Sequence, residues 1–297
     1  MVGERKSLWF GQLLRLPFYL IAFTVMIPFY WMVLGAFKTL SELLQRPPTF
    51  VVLAPTVKNF FNADYAVGKL GEWQGLFQRY PNGLGFWGFY FNSLMVTLVV
   101  VFISLMLASL VAYVLVKHPF PGSKILFMVL LGSMMIPWEV TIIPNFIIVR
   151  DLGWLNSFWA LMVPGMAKAF VVFFFRQAIL SVPNELVDAA RIDGAGEVRI
   201  WWYVVMPILR PALAAIAIPV ALGEWNNFLW PLLVINDDAH STLPLALGKL
   251  AGSLNYDPKA AGVLMAASLL VSIPAVTFFL VFQRQFVQGL SLGATKG

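Results

Sequence analysis

Cysteine is missing from the sequence altogether, which removes disulfides, thiolate metal ligands and cysteine nucleophiles together. Charge is scarce. Asp, Glu, Lys and Arg make up 11% of the residues, against about 25% in soluble proteins. There is no G-x-x-x-x-G-K-S/T phosphate loop, because Gly248-Lys249-Leu250 lacks both the earlier glycine and the following hydroxyl residue. The chain is therefore expected not to hydrolyse ATP itself, and no enzyme active site is expected. Nor is there a Lys/Arg run interleaved with aromatics, so the net charge of +6 is not read as a nucleic-acid footprint.

Apolar residues are abundant, at 60% of the chain. A compact soluble fold of this length could not hide so much apolar surface, so the excess must face lipid or partner chains. A spanning helix needs about 20 mostly apolar residues. Six stretches qualify: 17–37, 93–116, 125–149, 155–175, 211–235 and 260–282. Pro28, Pro137, Pro144, Pro164, Pro219 and Pro274 fall inside them and are read as packing kinks, which membrane helices tolerate. The first stretch follows Arg5 and Lys6 and could mimic a signal peptide. It is too long for a signal h-region and no small-residue cleavage site follows it, so it is read as an uncleaved helix. The expected fold is an all-α integral membrane protein of about six transmembrane helices, forming one permease-like domain over 1–297.

Lysine and arginine in the loops set orientation. With the N- and C-termini in the cytoplasm, eleven basic residues lie inside and eight outside, with Lys168 within a span. The outside loop 38–91 carries prolines, aromatics and Gly-rich turns, and reads either as a cap or as a contact for an external partner. His118 and His240 fall on opposite sides, so no metal-binding pair and no histidine triad is expected.

The most informative segment is 181–207, a cytoplasmic loop between the fourth and fifth spans. Pro183-Asn184 opens a helix, with Glu185 in the first turn where the dipole favours a carboxylate. Gly194 fits a helix stop. A second short helix follows, with Val198, Trp201, Trp202 and Val205 at i, i+3, i+4 and i+7 as one apolar face. A helix–turn–helix with such a face reads either as a protein docking surface or as an amphipathic hairpin packed on its own bundle or the membrane.

This segment resembles the EAA loop of permease subunits in bacterial binding-protein-dependent ABC importers. The family pattern is E-A-A, three residues, G, nine residues, then I-x-L-P. Here Asp188-Ala189-Ala190, Gly194 and Val204-Val205-Met206-Pro207 keep that spacing, with Asp for Glu and Val and Met for Ile and Leu. Asp193-Gly194-Ala195 also matches the common D-G-A. Met135-Ile136-Pro137, Trp225-Asn226-Asn227-Phe228-Leu229-Trp230-Pro231-Leu232 and the tail Gln283-Arg284-Gln285-Phe286 through Gly293-Ala294-Thr295-Lys296-Gly297 resemble sugar-importer permeases, the tail being similar to that of the maltose-type second permease. The resemblance implies a MetI-like ABC importer permease fold. It implies a loop, Glu185, Asp188, Ala189, Ala190, Asp193, Gly194 and Ala195, that couples to ATPase subunits. It implies a complex with a second permease subunit, two ATPase subunits that use ATP and Mg, and an extracytoplasmic solute-binding protein. The setting would be the cytoplasmic membrane of a bacterium or archaeon, in contact with membrane lipids, and the cargo a sugar or sugar-derived solute: an oligosaccharide, a monosaccharide or a glycerol phosphate.

Three charges, Glu139, Lys168 and Glu224, fall within spans. A charge at mid-helix costs about 2.5–3.5 kcal/mol on insertion scales, so such groups face protein or a water-filled cavity. Lys168 and Glu224 are expected at similar depth, either as a structural ion pair or as lining of the translocation pathway. Glu139 lies nearer the outer half. Trp225, Asn226, Asn227 and Trp230 offer amides and aromatic faces of the kind that suit sugars, and equally the groups that pack helices together. The rival function is a proton- or ion-coupled secondary carrier built on Glu139, Lys168 and Glu224. A membrane scaffold that docks partners through the Trp-bearing loop is a third reading.

Overall fold

A computed structural model of the protein describes residues 3–61, 85–253 and 260–294, with side chains over 15–61, 85–252 and 260–281. The stretch 62–84 of the outer loop and the last three residues lie outside the described residues, as do the side chains of Arg5, Lys6 and the tail from Phe282 onward. All regular elements among the described residues are helical. Four helices, Arg15–Phe37, Gly85–Lys117, Phe158–Leu180 and Ala260–Val281, are long and apolar enough to cross a bilayer, and up to six spans result if each of two bent pairs counts as one.

The helices divide into two compact units. The first contains α1 (Gly3–Phe37), the short α2 (Leu40–Leu43) and α3 (Lys58–Phe61), and the beginning of the last long helix, numbered α15 below. The segment that follows α1 is stapled by polar contacts. Glu42 accepts the backbone N–H of Leu53 at 2.9 Å and the Thr49 hydroxyl at 3.1 Å. Lys38, one of the basic residues of the expected outside loop, is buried and donates to Thr49 Oγ1 at 2.8 Å. Asn59 Nδ2 donates to the carbonyls of Ala36 and Lys38. The Leu53 N–H, above all, holds the Glu42 carboxyl below its ordinary range.

The second unit is built on α4 (Gly85–Lys117). Its 33 residues give a length of about 50 Å, well beyond the hydrocarbon thickness. Of its most apolar window 39% is buried, against 11% for α1, which makes α4 the central helix. It packs most extensively on α8 (Ala169–Leu180), then on α12 (Arg210–Trp225) and α7 (Phe158–Met166). Two apolar cores lie along it. Val96 and Val100 join Ala160, Leu161, Trp230 and Val234. Further along, Leu105, Ala112 and Tyr113 join Phe175, Ile179, Ile200, Val205 and Leu209.

Three spans expected to be continuous are broken. The third divides into α5 (Ser123–Ser133) and α6 (Trp138–Asp151), bent by 102°. Pro137 stands at the break, where it biases the preceding residue to extended backbone, so the anticipated kink becomes a corner. The fourth stops at Ala167 and Lys168, both extended, after α7 has run through Pro164 to Met166. Lys168 thus sits at an interruption rather than inside a helix. The fifth breaks at 226–228, between α12 and α13 (Leu229–Val234), where Asn226 caps α12 by donating to the Leu222 carbonyl at 2.8 Å. The apolar α14 (Leu243–Ser253), not anticipated from the sequence, precedes α15 (Ala260–Ala294).

Candidate functional site: the hairpin 181–207 and the polar helix break

The hairpin comprises α9 (Asn184–Ile192), a turn at Gly194, α10 (Glu197–Ile200), one π-helical turn (Trp201–Val205) and α11 (Met206–Ile208). Its turn explains why the D-A-A-x-x-x-G-A spacing folds as it does. Gly194 adopts φ +79°, a left-handed conformation that favours glycine. The N–H of Ala195 donates to the Ala190 carbonyl and that of Gly194 to the Arg191 carbonyl, both at 3.0 Å. These two bonds make a Schellman cap, with Ala190, Gly194 and Ala195 at its three defining positions. Ala190 and Ala195 pack against the core, whereas Glu185, Asp188, Ala189, Asp193 and Gly194 face outward. The arm 197–208 is turned 81° from α12, so it lies across the end of the spanning helix.

The single apolar face expected for Val198, Trp201, Trp202 and Val205 does not form. Along α10 and the π turn the side chains fall into two strips. Trp201, 8% exposed, and the fully buried Val205 point into the core with Ile200 and Leu209. Trp202, 45% exposed, faces outward with Val198 and Tyr203. Leu186 and Ile192 on α9 are also exposed. Half of the expected apolar face therefore packs on the chain's own bundle and holds the hairpin onto it.

Sequence reasoning missed a polar cluster at the same place. Glu197 Oε2 accepts the hydroxyl of Tyr113 and contacts His118 Nε2, each at 2.6 Å, and Oε1 accepts from Arg191 Nε at 2.8 Å. Arg191 Nη1 donates to Asp188 at 2.9 Å. The Arg191 hydrogen bond, first among several donors, pulls the Glu197 carboxyl from 4.5 down to about 2. Lys117 Nζ donates to the Val182 carbonyl and to Asn184 Oδ1 at the start of α9. No spacing rule would have joined Tyr113 to Glu197, which stand 84 positions apart.

The second polar feature is the break between α7 and α8. Lys168 Nζ donates to Glu224 Oε1 at 2.8 Å, with side-chain exposures of 33% and 7%. Gly165 leaves the room: a Cβ there would lie 3.2 Å from Glu224 Oε1 and 3.1 Å from Val100. Among the described residues, Glu139 forms no ion pair with either of them. It sits exposed in the first turn of α6, at the corner after Pro137, where the helix dipole suits a carboxylate. Trp225 is buried edge-on against Tyr90 at 5.5 Å, and Trp230 is buried with its indole N–H on the Ala160 carbonyl at 2.8 Å. Both indoles serve packing within this chain, while Asn226 is exposed and Asn227 partly so, in the break itself. Among the described residues no group of His, Asp and Glu could hold a metal ion.

A family model described as the inner membrane component of binding-protein-dependent transport systems matches residues 104–292. The chain belongs to that family. Among its relatives is the arabinooligosaccharides transport system permease protein AraQ of Halalkalibacterium halodurans, 35% identical over 287 residues that cover 96% of each chain. The lactose transport system permease protein LacG of Rhizobium radiobacter is 34% identical over 278 residues, covering 93% of each. The sn-glycerol-3-phosphate transport system permease protein UgpE of Yersinia enterocolitica is 34% identical over 223 residues, covering 73% of this chain and 79% of the relative. A crystal structure of a bacterial ABC transporter involved in the import of the acidic polysaccharide alginate contains a chain of the same fold, with TM-score 0.77 and 23% identity over 95% of this chain and 98% of that one. The protein is a membrane permease subunit of an ABC importer, a transport component that works with an ATPase and a solute-binding protein. The ion-coupled carrier reading of Glu139, Lys168 and Glu224 is set aside by this membership.

Proposed function

We propose that this permease forms half of the translocation pathway for a sugar or sugar-derived solute, and that the hairpin 181–207 couples it to ATP hydrolysis in a partner. The observation that carries the reading is the Gly194-capped hairpin, held to the bundle by Trp201 and Val205 while Asp188, Ile192, Val198 and Trp202 remain outward. Such a body is rigid on one side and free to dock on the other. The proposed assembly contains a second permease, two ATPase subunits that use ATP and Mg, and an extracytoplasmic binding protein. The hairpin and both termini face the cytoplasm of a bacterial or archaeal cell. ATP closes the ATPase pair and the docked hairpin carries that closure to the spanning helices, which requires two conformations that nucleotide biases differently.

Within the membrane, Lys168 and Glu224 line or gate the route beside Asn226 and Asn227, which offer amides where backbone is non-helical. Irregular backbone at membrane depth belongs where protein or a water-filled cavity satisfies it. The relatives named for arabinooligosaccharides, lactose and glycerol phosphate support the sugar class. Purification of the tagged permease from its native membrane is expected to bring down an ATPase and a second permease. Proteoliposomes holding that complex and its binding protein are expected to take up a sugar only with ATP inside. Uptake driven by a proton gradient without ATP would sink the proposal.

A further inference from the structure

The hairpin is attached to the membrane part at more places than its two chain ends. Covalently it joins α8 through 181–183 and α12 through Leu209. A third attachment runs to α4, which is remote in sequence. Tyr113, buried near the end of α4, donates its hydroxyl to Glu197 at 2.6 Å. His118, just past that helix, meets the same carboxylate oxygen at 2.6 Å. With its Nε2 proton committed to Glu197, His118 does not also accept from Arg191, whose Nη2 lies 3.1 Å away. Arg191 fills the other carboxylate oxygen and holds Asp188, so Glu197 joins both arms of the hairpin and α4 in one node. Lys117 adds a second tie from α4 to the beginning of α9.

Three attachments fix the orientation of a rigid body, where two leave it free to hinge. From Tyr113 back to Val100, α4 rises by about 20 Å. Val100 packs where Gly165 faces Glu224, beside the helix break at Lys168. A helix that is packed along its length on α7, α8 and α12 cannot take up an axial or tilting displacement by local bending alone.

We propose that Glu197 is a positioning residue that clamps the hairpin to α4, so that displacement of the hairpin reaches the Lys168–Glu224 break through α4 as well as through the chain ends. The inference rests on the coupling role given to the hairpin above and names the joint through which it acts.

The test uses the complete transporter in proteoliposomes, and its readout is solute taken up per ATP hydrolysed. Glu197→Ala is expected to lower that ratio about tenfold, the weight of a charge-assisted hydrogen bond or two. Tyr113→Phe, which removes one hydroxyl and keeps the ring, is expected to lower it about threefold. Glu197→Gln, whose single amide oxygen can accept from Tyr113 or from Arg191 but not from both, should recover part of the loss. Because the chain has no native cysteine, spin labels at Val114→Cys and Arg199→Cys report the α4–hairpin distance directly. That distance is expected to stay fixed between nucleotide-free and ATP-bound states with Glu197 present, and to broaden with Glu197→Ala. An unchanged ratio in both Glu197→Ala and Tyr113→Phe, or a label distance that shifts with nucleotide in the otherwise native protein, overturns the clamp. Gly194→Val separates the two ideas. If it uncouples while the Glu197 variants do not, only the clamp fails; if none of them uncouples, the coupling role of the hairpin fails with it.

Discussion

The chain interrupts its helices in two chemically opposite ways. At the hairpin, α9 ends in a glycine turn whose freed carbonyls are taken up by the next N–H groups, and its charges sit in a five-residue cluster partly open to water. At Ala167–Lys168 the break lies inside a span, and a single ion pair answers it. The cluster is redundant: Glu197 keeps two partners when any one is removed. The pair is not, since loss of either member leaves a lone charge in apolar surroundings. The hairpin node thus tolerates the loss of a partner, whereas the break does not.

The largest expected effect probes what anchors the hairpin. Trp201→Ala removes a buried indole and should destabilise the protein by about 3–5 kcal/mol, measured by thermal unfolding of the detergent-solubilised complex. The neighbouring Trp202→Ala should leave the melting temperature within about 2 °C and lower only the ATPase recovered on purification. Equal effects of the two would erase the distinction between inner and outer strips.

Next in size is the break. Lys168→Ala or Glu224→Ala should each cost about 2.5–3.5 kcal/mol in unpaired charge and reduce uptake by at least tenfold. The double variant should be milder than the two single losses combined. Strict additivity in that double-mutant cycle on transport would show that the ion pair carries no coupling.

A smaller effect is expected at the turn. With nothing within 4 Å of a Cβ built on Gly194, substitution there meets only backbone strain. Gly194→Val should cost about 1–2 kcal/mol and Gly194→Asn less, because asparagine tolerates the left-handed region. Hydrogen exchange across the hairpin would order the three. Gly194→Ala, smaller than asparagine but less tolerant of the left-handed region, should fall below Gly194→Asn; alanine above asparagine would point instead to a crowded turn.

The smallest effect is with pH. The Glu197 carboxyl is lowered from 4.5 to about 2, so its contribution is complete above 4.5 and disappears as pH falls toward 2. A neutral His118 can still donate its Nε2 proton to Glu197. Exchange protection of the hairpin should therefore be flat from pH 8 to pH 5 and fall only below about 4.5. Loosening already between pH 8 and 6 would mean that Glu197 is not the node that holds it.

These contrasts separate what was readable in advance from what was not. Hydropathy located the spans because a run of apolar residues is a local property. The turn at Gly194 was readable because a Schellman cap is closed by residues at most five apart. The inward strip of the second arm was misjudged. Helical spacing spreads Val198, Trp201, Trp202 and Val205 over about 100° of the helix, and the core takes only Trp201 and Val205. The broken spans were seen only as prolines within apolar runs, since hydropathy averages over a corner.

What the sequence by itself determined is short-range: a helical membrane chain, a capped hairpin between its fourth and fifth spans, and the presence of charges that lipid alone would not tolerate. The tertiary structure decided which of those charges meet. Lys168 and Glu224 stand 56 positions apart, and Tyr113 and Glu197 84 apart. Helix packing brings such groups together, because pairing across helices depends on the rotation and depth of each helix, which no local pattern encodes.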